Sequence, residues 1–302
     1  MITKNDEDYV ENLNKNREIN TTFLISNKEI KRTNMGKKYI QLDLSDKTGL
    51  IVARTFPEEN IDSIFASIQL GKVYQIRGKL NEFPRGSGKF SIIFNAHKPL
   101  KADEYDLVDY IRSTPRDKDI MILEIYNAIK SMQNDQLKAL LKSFFCDENF
   151  TDKFFNYPSA KYYHHNYLGG LLEHTVGVLE LCKTSCYIFP ELDKDLLYTG
   201  ALLHDIGKLD TYDFDTVTID YSQKGELLDH LFITASMVKE KIDELALNEE
   251  LSDQVLHLIL SHHGEVKNGW GSPVNPKTPE AMALHHADNL DAKVKGILQR
   301  KI

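Results

Sequence analysis

The spacing of apolar residues changes once along this chain, and the change divides it in two. Through the first hundred residues, apolar and polar positions alternate in short runs, the period of half-buried strands. From Asp117 onward the period becomes helical. Ile120, Leu123, Ile125, Tyr126 and Ile129 share one face, and Leu137, Leu140, Leu141, Phe144 and Phe145 share another. One segment cannot satisfy both periods, so the sequence predicts a multidomain chain, all-β over 1–98 and all-α over 117–302. A polar linker with two prolines and one short helix near Asp106–Ile111 is expected over 99–116. The full 302 residues leave room for two cores.

Five strand-like runs fall in the first part: Thr22–Ile30, Lys38–Ser45, Leu50–Phe56, Val73–Leu80 and Phe90–Ala96. In the second run Ile40, Leu42 and Leu44 point one way, and Tyr39, Gln41 and Asp43 the other. Asp46-Lys-Thr-Gly49 supplies turn chemistry after it. A helix is expected within Glu58–Leu70, where Ile61, Ile64, Phe65 and Ile68 recur at helical spacing. Three strands, a helix and two strands is the order of an OB-fold, a five-stranded barrel that binds oligonucleotides. Lys28, Lys31, Arg32, Lys37, Lys38 and Tyr39 surround the first hairpin, and Phe83, Arg85 and Lys89 occupy the last loop. Cations interleaved with rings are what single-strand binding requires, although Tyr39 and Phe83 would also serve as rim packing.

Charge agrees with that division. Residues 1–100 hold 16 Lys and Arg against 12 Asp and Glu, whereas the remainder holds 21 against 33. A basic front on an acidic body suits an anionic partner. No apolar run approaches the roughly 18 residues that span a bilayer, so no membrane role is expected. Three cysteines give no disulfide framework, and the first residues are polar and acidic, so a cytoplasmic protein is expected.

Ten of the eleven histidines fall between His164 and His286. Four helices are predicted there, near Leu168–Tyr187, Lys194–Ile206, Gly225–Leu245 and Glu250–His262. A fifth follows Pro279, with Thr278 as its N-cap. His174 lies on the buried stripe of its helix, His204 and Asp205 close the next ahead of Gly207 as a stop, and His230 flanks Leu227, Leu231 and Ala235. His262 follows Val255, Leu258 and Ile259, and Asp288 follows Ala281 and Leu284. A lone histidine on an apolar face is ordinarily a hydrogen-bonded core residue. Six such groups converging are harder to bury, because two neighbouring carboxylates in a core cost several kcal/mol or must protonate. A divalent cation removes the difficulty, and imidazole with carboxylate suits manganese, iron, zinc or cobalt. Four histidines and two aspartates exceed the needs of one tetrahedral zinc with an open position, so two metals bridged by Asp205 are expected. Such a pair suits in-line displacement at phosphorus.

These residues resemble the HD superfamily of metal-dependent phosphohydrolases, whose pattern of His, His-Asp and Asp is met by His174, His204-Asp205 and Asp288. The extra His230 and His262-His263 match members that hold two metals, and the choice between His262 and His263 stays open. An OB-fold followed by an HD domain is similar to the YhaM family of bacterial 3'-5' exoribonucleases. Two stretches carry that similarity, one from His164 to Thr175 and one from His285 to Ala292. The resemblance implies stepwise removal of nucleotides from the 3' end of single-stranded RNA, with single-stranded DNA as a second substrate and manganese or cobalt in support. The alternative is an HD phosphohydrolase of a small nucleotide or cyclic dinucleotide with a regulatory barrel. The oligomeric state is open, a homo-oligomer included.

Roles follow for single residues. Asp205 bridges the metals and orients water; Lys208 holds a nonbridging phosphate oxygen or is a snorkelled surface lysine. His165 donates to the scissile phosphate or is a loop residue near the entrance. Gly169-Gly170 allows close approach of backbone to substrate or a flexible helix start. Cys182 and Cys186 read as small hydrophobes, His257, His285 and His286 as core or outer groups, and Asp291 as support for the Asp288 region. Trp270 borders the cleft or anchors its loop.

Overall fold

The computed structural model describes residues 2–57, 59–82, 84–160, 165–213, 219–269 and 271–300. The chain separates into two compact units, Met1–Arg112 and Ser113–Asp213 with Ile219–Ile302.

In the first unit β1 (Arg17–Arg32), β2 (Lys38–Asp46), β3 (Gly49–Thr55), α1 (Ile61–Ser67), β4 (Val73–Glu82) and β5 (Phe90–Pro99) follow the expected order. The strands close a barrel in the order β1-β2-β3-β5-β4, antiparallel except for β3 and β5. β1 is long because it serves two neighbours. Arg17–Leu24 pairs with β4, Leu24–Arg32 pairs with β2, and an irregularity between Ile25 and Asn27 bends the strand from one to the other. Alternation fills the interior with Ile19, Phe23, Ile25, Ile40, Leu42, Leu44, Ala53, Ile76, Leu80 and Ile92.

Residues 100–111 are not the solvated linker the sequence suggested. Leu100, Tyr105, Tyr110 and Ile111 are buried, around two short 3-10 turns at Ala102–Glu104 and Leu107–Asp109. Tyr110 donates to Thr22 Oγ1 at 2.5 Å, and Tyr9 donates to Asp109 Oδ1 at 2.5 Å. The acidic residues hid this from a composition reading, because the tyrosines between them carry the packing. The amino-terminal segment is pinned in the same place. Lys4 Nζ lies 2.7 Å from Asp46 Oδ2 with both side chains fully buried, donates to the Thr22 carbonyl at 2.8 Å, and sits 4.0 Å from the Phe23 ring centre.

The second unit is helical: α2 (Lys118–Lys130), α3 (Asp135–Phe145), α4 (Glu148–Phe154), α5 (Gly170–Ile188), α6 (Lys194–Leu203), α7 (Lys208–Thr211), α8 (Gln223–Glu244), α9 (Glu249–Ser261) and α10 (Pro279–Arg300). Side chains of Asp117, Asn134, Asp147, Asp193, Ser222 and Asn248 accept from the first-turn amides of α2, α3, α4, α6, α8 and α9. Thr278 does so for α10. Each such cap contributes about 1 kcal/mol and fixes where a helix starts. The core lies between α5, α6, α9 and α10, lined by Leu171, Val178, Leu197, Ala201, Leu258 and Leu284. Cys182 belongs to that core and Cys186 packs against it. No described helix is long and apolar enough to cross a membrane.

Removing one partner of a buried ion pair leaves the other charge stranded. Lys4→Met is therefore expected to lower stability by about 3 kcal/mol in urea unfolding. A loss below about 0.5 kcal/mol would show that Asp46 is satisfied without it.

Candidate metal centre and nucleic-acid face

The centre is assembled from helix ends and helix faces. α6 ends at Leu203, and His204 and Asp205 follow in the tight turn before α7. The sequence reads Gly207 as a helix stop. Its φ is −64°, so it plays a different part. A Cβ there would stand 2.5 Å from the Thr234 nitrogen and 2.6 Å from the His230 carbonyl oxygen of α8, while the Gly207 amide donates to Thr234 Oγ1 at 2.9 Å. The absent side chain lets the Asp205 turn press against α8, and so brings His230 near. α8 itself is broken at Asp229, whose φ of 59° and ψ of 158° are rarely populated outside glycine.

Four imidazoles share one orientation. Their Nδ1 atoms are held from outside: His174 by Asp291 Oδ2 at 2.7 Å, His204 by the Ala201 carbonyl at 2.9 Å, His230 by Asp229 Oδ1 at 2.5 Å and His262 by the Ile259 carbonyl at 2.7 Å. Their Nε2 atoms face inward around Asp205. Oδ2 of Asp205 lies 3.3 Å from His174 Nε2 and 3.4 Å from His204 Nε2. Oδ1 lies 3.5 Å from His230 Nε2 and 3.8 Å from His262 Nε2. Asp288 Oδ1 is 3.2 Å from His174 Nε2, and His263 Nε2 is 3.3 Å from His230 Nε2. His174, His204 and Asp205 form one group of converging ligand atoms, and His230, His262 and His263 another. His262 and His263 both contribute ligand atoms to the second group.

Electrostatics match a cation site. Burial disfavours charge on Asp205, but Lys208, then His204 and His174, outweigh it and hold its carboxyl well below the usual carboxylate range. Burial likewise opposes charge on Asp288, and His174 holds it low. His262 is driven well below the ordinary imidazole value by burial and by His263 and His204, so it stays neutral and available as a donor. The hydrogen bond from His230 lowers Asp229 to about 2. Asp205 Oδ1 and His262 Nε2 are buried with no hydrogen-bond partner among the described residues. Unsatisfied groups of this kind are strongly unfavourable in a dry interior, and a divalent cation with nitrogen and oxygen ligands would satisfy both. The donor set fits such an ion.

Other predicted residues fall differently. Lys208 is buried, 2.5 Å from Asp205 Oδ2 and 3.2 Å from Ser159 Oγ, so it is no snorkelled surface lysine. His165 is 1% exposed, with Nε2 2.9 Å from Asp291 Oδ2 and Nδ1 3.0 Å from the Tyr167 hydroxyl. Both nitrogens are engaged inside the protein, which corrects its expected role as donor to a phosphate. Gly170 closes on the chain rather than on a substrate, because a Cβ there would meet the His165 carbonyl. His285 Nδ1 lies 2.8 Å from the His262 carbonyl oxygen, and His257 Nε2 accepts from the Lys277 amide. Trp270 and Phe83 lie outside the described residues.

On the barrel, register sets a second surface. Lys31 is opposite Tyr39, Glu29 opposite Gln41, and Gln41 opposite Arg54, all on outward positions. Tyr39 stacks on Phe56 with ring centres 5.1 Å apart and an interplanar angle of 29°. Phe56 closes the third strand-like run of the sequence, but only its stacking on Tyr39, from a different strand, marks it as part of this surface. Arg32, Lys37, Arg85 and Lys89 are exposed. Lys31 pairs with Glu29 at 2.9 Å and Lys38 with Asp62 at 3.6 Å, so part of the predicted positive charge is already balanced.

Two family models match: one described as an HD domain over residues 171–293, the other as an OB-fold nucleic acid binding domain over residues 25–100. Together with the centre, they define an HD-domain hydrolase joined to a nucleic-acid-binding barrel. The chain is 34% identical over 267 residues to the 3'-5' exoribonuclease YhaM of Geobacillus sp. (strain WCH70), covering 87% of this chain and 78% of that protein. It is 33% identical over 276 residues to that of Halalkalibacterium halodurans, covering 90% and 82%, and 32% identical over 260 residues to that of Bacillus subtilis (strain 168), covering 86% and 80%. It belongs to the YhaM family of 3'-5' exoribonucleases, as its motifs indicated.

Gly207→Ala should force α8 away from the Asp205 turn and cost about 2 kcal/mol in urea unfolding. Unchanged stability would show that α8 yields freely at Thr234.

Proposed function

We propose that this chain is a metal-dependent 3'-5' exoribonuclease, hydrolysing phosphodiester bonds of single-stranded RNA and, as a second substrate, single-stranded DNA. The polarity and the exonucleolytic mode rest on the family. The hydrolytic chemistry rests on one observation above the others: the two oxygens of a single buried carboxylate, Asp205, face two separate sets of imidazole nitrogens.

In this reading His174, His204, Asp205 and Asp288 would hold one divalent cation, and Asp205, His230, His262 and His263 would hold a second. Manganese is the preferred ion, with cobalt, iron or zinc compatible with the same donors. Bound there, the cations would acidify water and neutralise charge on the scissile phosphate. Asp205 fixes the spacing between the two sets and orients the attacking water toward phosphorus. Lys208, three residues on and already against Asp205, keeps that carboxylate ionised and offers its ammonium to a nonbridging oxygen. The Nδ1 partners keep each ring from turning, so little reorganisation accompanies reaction.

The barrel supplies affinity. Tyr39 and Phe56 offer a stacked platform for bases, while Lys31, Arg32, Lys37, Lys38, Arg85 and Lys89 follow phosphates.

Two outcomes test the reading. Chelator-treated protein should gain stability when manganese is restored, by about 2.7 kcal/mol at a hundred times the Kd. Asp205→Asn should abolish that gain and cut shortening of a 5'-labelled oligoribonucleotide by about 1000-fold. Turnover of mononucleotides without oligomer shortening would sink the nuclease. Tyr39→Ala and Phe56→Ala should each weaken oligonucleotide binding by about 1–3 kcal/mol in fluorescence anisotropy. Hydrolysis of a small aryl phosphodiester should be unaffected. Unaltered oligonucleotide affinity in both variants would remove the platform.

A further inference from the structure

α5 and α10 meet at a single imidazole. His174 projects from α5, and on α10 Asp288 and Asp291 stand one helical turn apart. Asp288 Oδ1 reaches Nε2 of His174 at 3.2 Å, and Asp291 Oδ2 reaches Nδ1 at 2.7 Å. The two carboxylates thus take opposite edges of one ring, the first inside the centre and the second behind it.

Asp291 is itself braced. Its Oδ2 also lies 2.9 Å from His165 Nε2, and His165 Nδ1 lies 3.0 Å from the Tyr167 hydroxyl. That hydroxyl donates to Glu173 Oε2 at 2.8 Å, an oxygen that also accepts from Thr114, while Lys295 holds Oε1. A backbone feature admits the carboxylate. Gly177 lies on α5 three residues after His174, and a Cβ on it would stand 2.5 Å from Asp291 Oδ1. Glycine inside a helix costs about 1 kcal/mol relative to alanine, and here it leaves the notch that Asp291 fills.

Resting on the metal reading above, we infer that Asp291 is a positioning residue, seated by Gly177 and braced by His165, which fixes the ring of His174 so that Nε2 faces the metal. A carboxylate behind a ligating imidazole selects the tautomer, holds the ring plane and raises its basicity. Asp291 Oδ2 converges with nitrogens of His165 and His174 in a third group of potential ligand atoms, but it meets His174 at Nδ1, the edge of the ring away from Asp205, and so acts through His174. A cavity of about 640 Å³ adjoins Asp291 and Gly177 and is lined further by His165, Leu290, Val294 and Lys295. That space gives the carboxylate somewhere to go if a methyl group enters the notch.

That room makes Gly177→Ala the sharp test. Helix propensity predicts a metal-free protein as stable as the parent or more so, whereas the notch predicts loss of the Asp291–His174 contact. Manganese titrations of chelator-stripped full-length protein by calorimetry, with thermal unfolding of the metal-free forms, separate the two. Gly177→Ala and Asp291→Asn should each weaken manganese binding by about 10- to 100-fold, more than any change in metal-free Tm accounts for, and Asp291→Glu should restore part of the loss. At saturating manganese, kcat should return toward the parent value. Affinities within twofold of the parent in both variants would overturn the role, as would losses that merely track a lowered metal-free Tm. Parent protein that takes up no manganese overturns the metal reading itself, a failure visible before any variant is made.

Discussion

A carboxylate sealed from water has to share its charge, and the helical unit is arranged around the one that does so most. Asp205 is 2% exposed and faces a lysine and four imidazoles at 2.5–3.8 Å. The low dielectric that makes such a group costly when alone makes every partner strong when present. Lys208 balances one oxygen within the protein, while the other, which faces His230 and His262, makes no hydrogen bond among the described residues. A core that accepted this arrangement merely for stability would be better off apolar.

Packing converts that demand into geometry. Each histidine arrives on a different helix or helix end, and capping side chains set where those helices begin. Close contact between the Asp205 turn and α8 needs a glycine, and so does the seat of Asp291 on α5. The barrel solves an unrelated problem. Its alternating interior fixes register, and register puts Tyr39 and Phe56 side by side on the outside.

Much of this was legible in the residues. Alternation read the five strands and their order, and helical period with caps read α5, α6, α8, α9 and α10 to within a few residues. Spacing on apolar faces found the six groups that converge. What stayed hidden depends on contacts between segments far apart in sequence. No local signal marks Leu100, Tyr105, Tyr110 and Ile111 as buried, because tyrosines among acids look like a linker until Thr22 and Tyr9 are beside them. His165 looked like an entrance residue for the same reason: Asp291, 126 positions away, is what occupies it. Gly207 read as a stop and Gly177 drew no reading at all, since the neighbours that forbid a methyl group belong to other helices.

The outer contacts of the four inward-facing rings are of two kinds. His204 and His262 are gripped by main-chain oxygens three residues earlier, at helix ends where such oxygens lack partners in any case. His174 and His230 depend on the side chains of Asp291 and Asp229. Mutation can delete a carboxylate but cannot delete a peptide group. Drift in a lineage, or a designer retuning the ion preference, would thus find half of the rings locked to the scaffold and the other half adjustable one codon at a time.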